Sequence, residues 1–435
     1  MAHHTLKSGY GDLAERLNRF PQGAPPTERL FQILRILMNE REAALVARLP
    51  IRPFTAEKAA ASWKTTEAEA RAILDELAGR ALLLDLPREG SPTRWVLPPP
   101  MAGFFEFSLM RVRGDIDQKA LSELLHEYLN VEEDFVRELF GRGETQLGRV
   151  FVDETALGRA EALTVLDHER ASEVVRSATD IGVGICYCRH KMSHLGRACD
   201  APQDICMSFG SVASSLVRNG VARPVGRLEC LDLLESARER GLVQFGENVR
   251  EGVGFLCNCC GCCCEAMIAA RRFGFLRPVH TTNFLPAPDQ EACTGCGKCV
   301  SACPVEAIGL VSAHDPRRPT ARRAHLDASL CLGCGVCVRA CSKDAISLVP
   351  RGERVLTPAT SAHRIVLMAI ERGTLAELLV DGEAGGGHRA LAAILGACLA
   401  LPPIKQLLAS RQVRSRFLDR LFATKGERGD ASAPA

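Results

Sequence analysis

CTGCGKCVSACP, running from Cys293 to Pro304, and CLGCGVCVRACS, running from Cys331 to Ser342, share one spacing: three cysteines at intervals of three, then a fourth four residues on. The second run follows the first at a constant offset, 38 positions from Cys293 to Cys331 and again from Cys303 to Cys341. Each run leads into a matching apolar segment, VEAIGLV at 305–311 and KDAISLV at 343–349. An internal duplication accounts for this. The remaining thiols are distributed unevenly. Of 20 cysteines the first is Cys186, nineteen lie between it and Cys341, and Cys398 stands alone. Disulfide frameworks belong to small secreted chains, whereas clustered thiols in a long chain without a secretory h-region point to metal or catalysis.

The duplicated spacing resembles the bacterial two-cluster ferredoxin. Three thiolates at this spacing wrap a tight turn around a cubane, and a fourth on a short helix ligates the other cluster. Carried over by position, the resemblance implies one [4Fe–4S] cluster on Cys293, Cys296, Cys299 and Cys341. It implies a second on Cys331, Cys334, Cys337 and Cys303. Gly295, Gly297, Gly333 and Gly335 let backbone N–H groups approach the sulfides. The sequence departs from the pattern at Ser342, where a proline is expected. Zinc ribbons need two thiol pairs rather than three plus one, which argues against zinc here. Between the halves lie Arg317, Arg318, Arg322 and Arg323, read either as a solvated loop or as steering for an acidic redox partner such as a flavodoxin.

Two further groups lie upstream: Cys186, Cys188, Cys199 and Cys206, then Cys257, Cys259, Cys260, Cys262, Cys263 and Cys264. Their lead-ins match, GVGICYC at 182–188 and GVGFLCNC at 252–259, each read as a buried strand ending at a site. A helix from Leu228 to Arg240 lies between them. Strand, helix, strand suggests a parallel crossover with both cysteine turns at one sheet edge, and hence a common metal-bearing centre. Neighbouring residues of an extended chain face opposite ways, so the six thiols of the second group cannot all bind one cubane. About four ligands from each group, and one or two further iron–sulfur clusters, are expected. Arg189, His190 and His194 are candidates to donate hydrogen bonds to sulfide or to a bound anion. Cys230 reads as a small core residue rather than a ligand.

The expected fold class is α+β and multidomain. A polar tail (1–26) precedes a domain at 27–98 that resembles a winged helix: helices capped at Thr55 and Thr66, then a hairpin. A helical connector (101–180), a mixed α/β cysteine-rich domain (181–283), the ferredoxin domain (284–350), a helical C-terminal segment (351–425) and a disordered tail (426–435) complete it. The whole arrangement looks like multi-cluster 4Fe-4S ferredoxin-type proteins of anaerobic bacteria. Cys259-Cys260-Gly261 also looks like the CCG element of heterodisulfide reductase subunits.

The balance of 54 basic and 52 acidic residues leaves +2, so no whole-chain field favours nucleic acid. The helix expected to enter a DNA groove carries Glu67, Glu69, Asp75 and Glu76, so DNA binding is not expected. No apolar run is long enough to span a bilayer, so a cytoplasmic protein without membrane insertion is expected. Without a phosphate-cradling glycine loop, neither NAD nor flavin is expected in this chain. The leading functional expectation is electron transfer with a redox partner: a flavoprotein, a ferredoxin or an oxidoreductase subunit. Two alternatives stand beside it, substrate chemistry at the upstream centre and redox-responsive regulation through the winged-helix-like domain.

Overall fold

The computed structural model describes residues 8–274, 277–352 and 354–380. Cys398, the tail at 426–435 and the rest of the expected C-terminal segment beyond Val380 lie outside the described residues. None of the described helices is long and apolar enough to cross a membrane.

The expected loose N-terminal tail is instead largely ordered. Ser8 caps a helix, Gly9–Arg19, whose Leu13, Ala14 and Leu17 are buried. The composition there is polar, but the apolar residues recur at i, i+1 and i+4, enough to give one inward stripe. Arg16, also buried, donates from Nε to the Leu49 carbonyl at 2.9 Å and ties this helix to the next segment.

Helices Glu28–Leu37, Glu40–Val46, Ala56–Trp63 and Glu67–Gly79 follow. Thr55 and Thr66 cap the last two, and Thr66 forms a capping box with Glu69. Strands β1 (Phe54–Thr55), β2 (Leu84–Arg88) and β3 (Ser91–Val96) make an antiparallel sheet in the order β1-β3-β2. The hairpin does not project freely. Asp85 on β2 accepts hydrogen bonds from Ser215 Oγ and Arg218 Nε, each at 2.6 Å, and from Asn219 Nδ2 at 2.8 Å. These come from helix Gly210–Arg218 and its cap, within the cysteine-rich region.

The stretch expected as a helical connector does contain helices, Gln118–His126, Glu133–Phe140 and Ala171–Ser177, but it also supplies a strand, β4 (Gly148–Val150). This strand forms one edge of a six-stranded sheet with β5 (Ile181–Ile185), β6 (Asp204–Phe209), β7 (Arg223–Pro224), β8 (Val243–Glu247) and β9 (Phe255–Cys259). The order is β4-β8-β9-β6-β5-β7, and every neighbouring pair is antiparallel. The expected strand–helix–strand crossover is therefore corrected, because β6, β7 and β8 intervene in the chain between β5 and β9. β6, which carries Cys206, lies between β5 and β9 and runs against both. Those two consequently point the same way and deliver Cys186 and Cys260 to one edge.

Alternation along the strands divides the sheet's faces. Met207 and Phe209 of β6 join Leu256 of β9, Val183 of β5 and Leu234 in a buried core, and Ile205 packs with Ala237 and Leu242. Helix Arg227–Glu239 covers this face. Cys206, Phe245, Cys257 and Cys259 face the other way, into a cavity.

Strands β10 (Phe284–Pro288) and β13 (Ile346–Pro350) pair antiparallel, as do β11 (Ile308–Ser312) and β12 (Arg322–Leu326). Two short helices, Lys298–Ala302 and Val336–Arg339, sit at corresponding places in the two halves. This small unit is docked rather than tethered. Val305, Ala307, Leu332 and Val336 share one core with Val243, Cys259, Cys264 and Met267. Arg351 adds hydrogen bonds to the carbonyls of Thr282 (2.9 Å) and Cys331 (2.7 Å).

Cys230 is fully buried on the helix behind the sheet, its Sγ 3.7 Å from Met207 Sδ. A Cys230→Ala variant is expected to lose about 1 kcal/mol in a denaturant titration, the scale of one small buried group. Its metal content, measured by elemental analysis, should equal that of the wild type.

Candidate metal centres

In the duplicated region both halves close on sulfur in the same way. Gly297 and Gly335 precede the two short helices with φ of +80° and +87°, a left-handed conformation that glycine adopts without strain. Gly295 and Gly333 let a neighbouring carbonyl, of Arg322 and of Phe284, pass where a Cβ would overlap it. Cys293, Cys296, Cys299 and Cys341 surround one small cavity. Cys303 comes from the first half to face Cys331 and Cys334 of the second. Backbone N–H groups donate to sulfur at matching positions, Ala307 to Cys303 at 3.2 Å and Ala345 to Cys341 at 3.4 Å. Ser342, the departure from the repeat, accepts a hydrogen bond from Lys298 Nζ at 3.1 Å. Burial pushes the Cys334 thiol up to about 12.

The upstream cysteines do not stay in their sequence groups. Cys199 leaves the first group to join Cys260, Cys262 and Cys263 of the second, and all four sulfurs lie within 4.8 Å of one another. The contacts include Cys199 to Cys260 at 3.6 Å and Cys263 to Cys199 at 3.8 Å. This arrangement fits a four-thiolate metal site. The other six, Cys186, Cys188, Cys206, Cys257, Cys259 and Cys264, gather on the cavity side of the sheet.

Arg189 lies between the two sets and is 1% exposed. Its Nη atoms donate to the carbonyls of Pro202 (2.9 Å) and Asn258 (2.8 Å), and Nε has no partner. Burial works against its charge, but the sulfurs of Cys186 and Cys260 outweigh this and hold its pKa above the ordinary value. A buried guanidinium facing sulfur is stable only where the sulfur carries negative charge, as metal-bound thiolate does.

The two histidines play other parts. His190 Nδ1 is 2.7 Å from the Leu109 carbonyl, and the His194 ring lies 4.8 Å from that of His190. Desolvation lowers the His194 pKa. Three further residues, Lys191, Glu265 and Glu106, belong to no motif in the sequence. Lys191, wholly buried, forms an ion pair with Glu265, which also accepts from Asn130 Nδ2 at 3.0 Å. Glu265 adjoins Cys264, so this pair supplies a fixed, balanced dipole beside the thiols. Its only sequence signal is a lysine two positions after Arg189 and a glutamate directly after the last cysteine. Glu106 accepts from the N–H groups of Ala102 (2.8 Å) and Gly103 (3.1 Å) in the cavity wall.

Residues 292–345 match the 4Fe-4S dicluster domain family. No curated protein and no solved structure matches the chain. Residues 292–345 are thus a 4Fe-4S dicluster domain, which supports two [4Fe–4S] clusters, and the upstream cysteine cluster could hold a further metal.

Arg189→Met should remove metal from the upstream region, lower stability by about 3–5 kcal/mol and leave the dicluster iron in place. Metal analysis with thermal unfolding checks this, and retention of all upstream metal would contradict it. For Glu106, burial pushes the carboxyl from 4.5 up to about 8, so the folded state keeps a proton that the unfolded chain releases. The associated stability is complete below the unfolded value and is lost as pH rises towards 8. Urea midpoints should therefore fall more for wild type than for Glu106→Gln between about pH 5 and 8.

Proposed function

We propose that this is an electron-transfer protein in which the dicluster domain exchanges electrons with a redox partner and is electronically joined to the four-thiol site upstream. When bound, the clusters supply one-electron exchange at fixed positions. One contact carries the reading. Gly261, between Cys260 and Cys262, packs against the backbone of Pro304, the residue after Cys303. A Cβ at 261 would lie 2.8 Å from the Pro304 oxygen and 2.9 Å from its Cα. Glycine is therefore required where the upstream site meets the second cysteine set of the dicluster domain. The shared apolar core around Leu332, Val336 and Met267 keeps water out of that junction. The ligand sets of the dicluster domain are those the ferredoxin resemblance implies: Cys293, Cys296, Cys299 and Cys341, and Cys331, Cys334, Cys337 and Cys303.

The partner is expected to be a flavoprotein, a ferredoxin or an oxidoreductase subunit. The arginine-bearing hairpin between β11 and β12 suits an acidic surface, since Arg322 is exposed at its base. We read residues 27–98 as winged-helix-like, on the order of their helices and the three-stranded sheet. The acidic helix Glu67–Gly79 and the hairpin's attachment through Asp85 support a scaffolding role rather than DNA binding.

Gly261→Ala and Gly261→Val test the junction. Freeze-quench EPR after rapid reduction, compared at equal metal loading, should show electrons reaching the upstream centre about tenfold more slowly in Gly261→Val, and less so in Gly261→Ala. Equal rates in all three proteins would overturn the reading.

A further inference from the structure

The six cysteines outside the four-thiol site form a set of their own. Cys186, Cys188, Cys206, Cys257, Cys259 and Cys264 all line one cavity, where Cys264 packs directly on Cys259. Three members come from each sequence group. Cys264 and Cys259 are 3.0 Å apart, and all six are free thiols. Two observations say that something anionic is held here. Arg189 turns its buried charge towards Cys186 and Cys259 as well as towards the outer set. Tyr187, between Cys186 and Cys188, is 3% exposed, and its hydroxyl has no partner. A buried donor without an acceptor is unfavourable unless a group such as a metal-bound sulfide receives it.

The same sulfurs floor a cavity of about 1440 Å³. Small-molecule sites usually measure about 300–1,000 Å³, so space remains above any metal held by the thiols. The walls are apolar: Phe107, Leu129, Phe140, Phe245, Phe255 and Met368 all line it. Exposed charged residues, Arg52, Asp167, Arg250 and Glu251, mark its mouth. Cys186, Cys188, Cys206 and Cys257 are each partly accessible although deep in the protein, because their free surface faces this space. The outer set differs, with Cys262 exposed at the protein surface.

We propose that the six inner cysteines hold a second upstream metal centre, and that its uncovered side is the floor of a binding chamber for a predominantly apolar organic molecule. An apolar wall left against water is unfavourable, and an apolar ligand recovers that free energy. The charged mouth and thiol floor give the chamber a direction, with the metal at its closed end. The centre stands apart from the electron-transfer reading, since its existence does not require the Gly261 junction to conduct.

The test uses the full-length holoprotein purified without oxygen. Native mass spectrometry of the wild type should show the dicluster clusters plus two further metal centres. The pair Cys206→Ser, Cys257→Ser should lose one of them, and Cys199→Ser, Cys262→Ser the other, with the dicluster EPR signals kept in both. Wild-type protein carrying only one upstream centre would overturn the proposal. So would an inner double variant with undiminished metal. Benzophenone, an apolar photoreactive probe, tests the chamber. Irradiation should label peptides spanning 101–110, 129–140 or 245–273, and Ala362→Trp in the cavity wall should reduce that labelling about tenfold. Labelling scattered over the surface, or unaffected by Ala362→Trp, would overturn the chamber.

Discussion

Successive side chains of a β-strand point to opposite faces, and the metal-bearing half of this protein depends on that constraint. In β9 it sends Leu256 and Asn258 to the helix-covered side and Cys257 and Cys259 to the cavity side. At the strand's end the chain turns, and Cys260 departs from its neighbour to meet Cys199. The same division recurs at the start of helix Glu265–Arg272, where Cys263 joins the outer set and Cys264 the inner. A run of six cysteines within eight residues is thereby shared between two places. Gly261 is the hinge of that division, because only a residue without a Cβ lets the turn lie on Pro304.

Electrostatics reinforces the geometry. Thiolates and clusters bring negative charge into an apolar interior, and burying such charge without compensation is costly. Arg189 meets this need with a rigid planar fork held by two carbonyls, so its orientation is set before any metal binds. Lys191 is neutralised by Glu265 and contributes a dipole rather than a net charge. The arginine is thus the net positive group between the two thiol sets, which explains why it sits at the centre rather than at the rim.

The dicluster domain was legible in the sequence because its information is local and duplicated. Three cysteines within one turn, a fourth just beyond, and a copy 38 positions later leave little for tertiary structure to decide. That both upstream groups meet at one sheet edge was legible too, from matching lead-ins. The route there was not. β6 comes between β5 and β9, and no periodicity in either lead-in signals the intervening strand. The regrouping of Cys199 was hidden for the same reason, since its partner Cys260 is 61 positions away. The Lys191–Glu265 pair spans 74 positions, and each residue alone reads as an ordinary surface charge. The N-terminal helix was missed because polar composition outweighed a short stripe of Leu13, Ala14 and Leu17.

How the dicluster unit is attached bears on what the protein can do. A freely tethered ferredoxin unit would present both clusters to partners and none to a fixed acceptor. Here Leu332, Val336 and Val305 are buried against Met267 and Val243, committing one face of the unit to the cysteine-rich sheet. Cys303 lies on that committed side, next to Pro304 and Gly261. Cys296, in the other set, is exposed. The two sets are therefore inequivalent despite their duplicated origin: one includes an exposed cysteine, and one faces the upstream thiols. Duplication supplied two similar cluster-binding halves, and apolar packing against one of them gave the pair a direction.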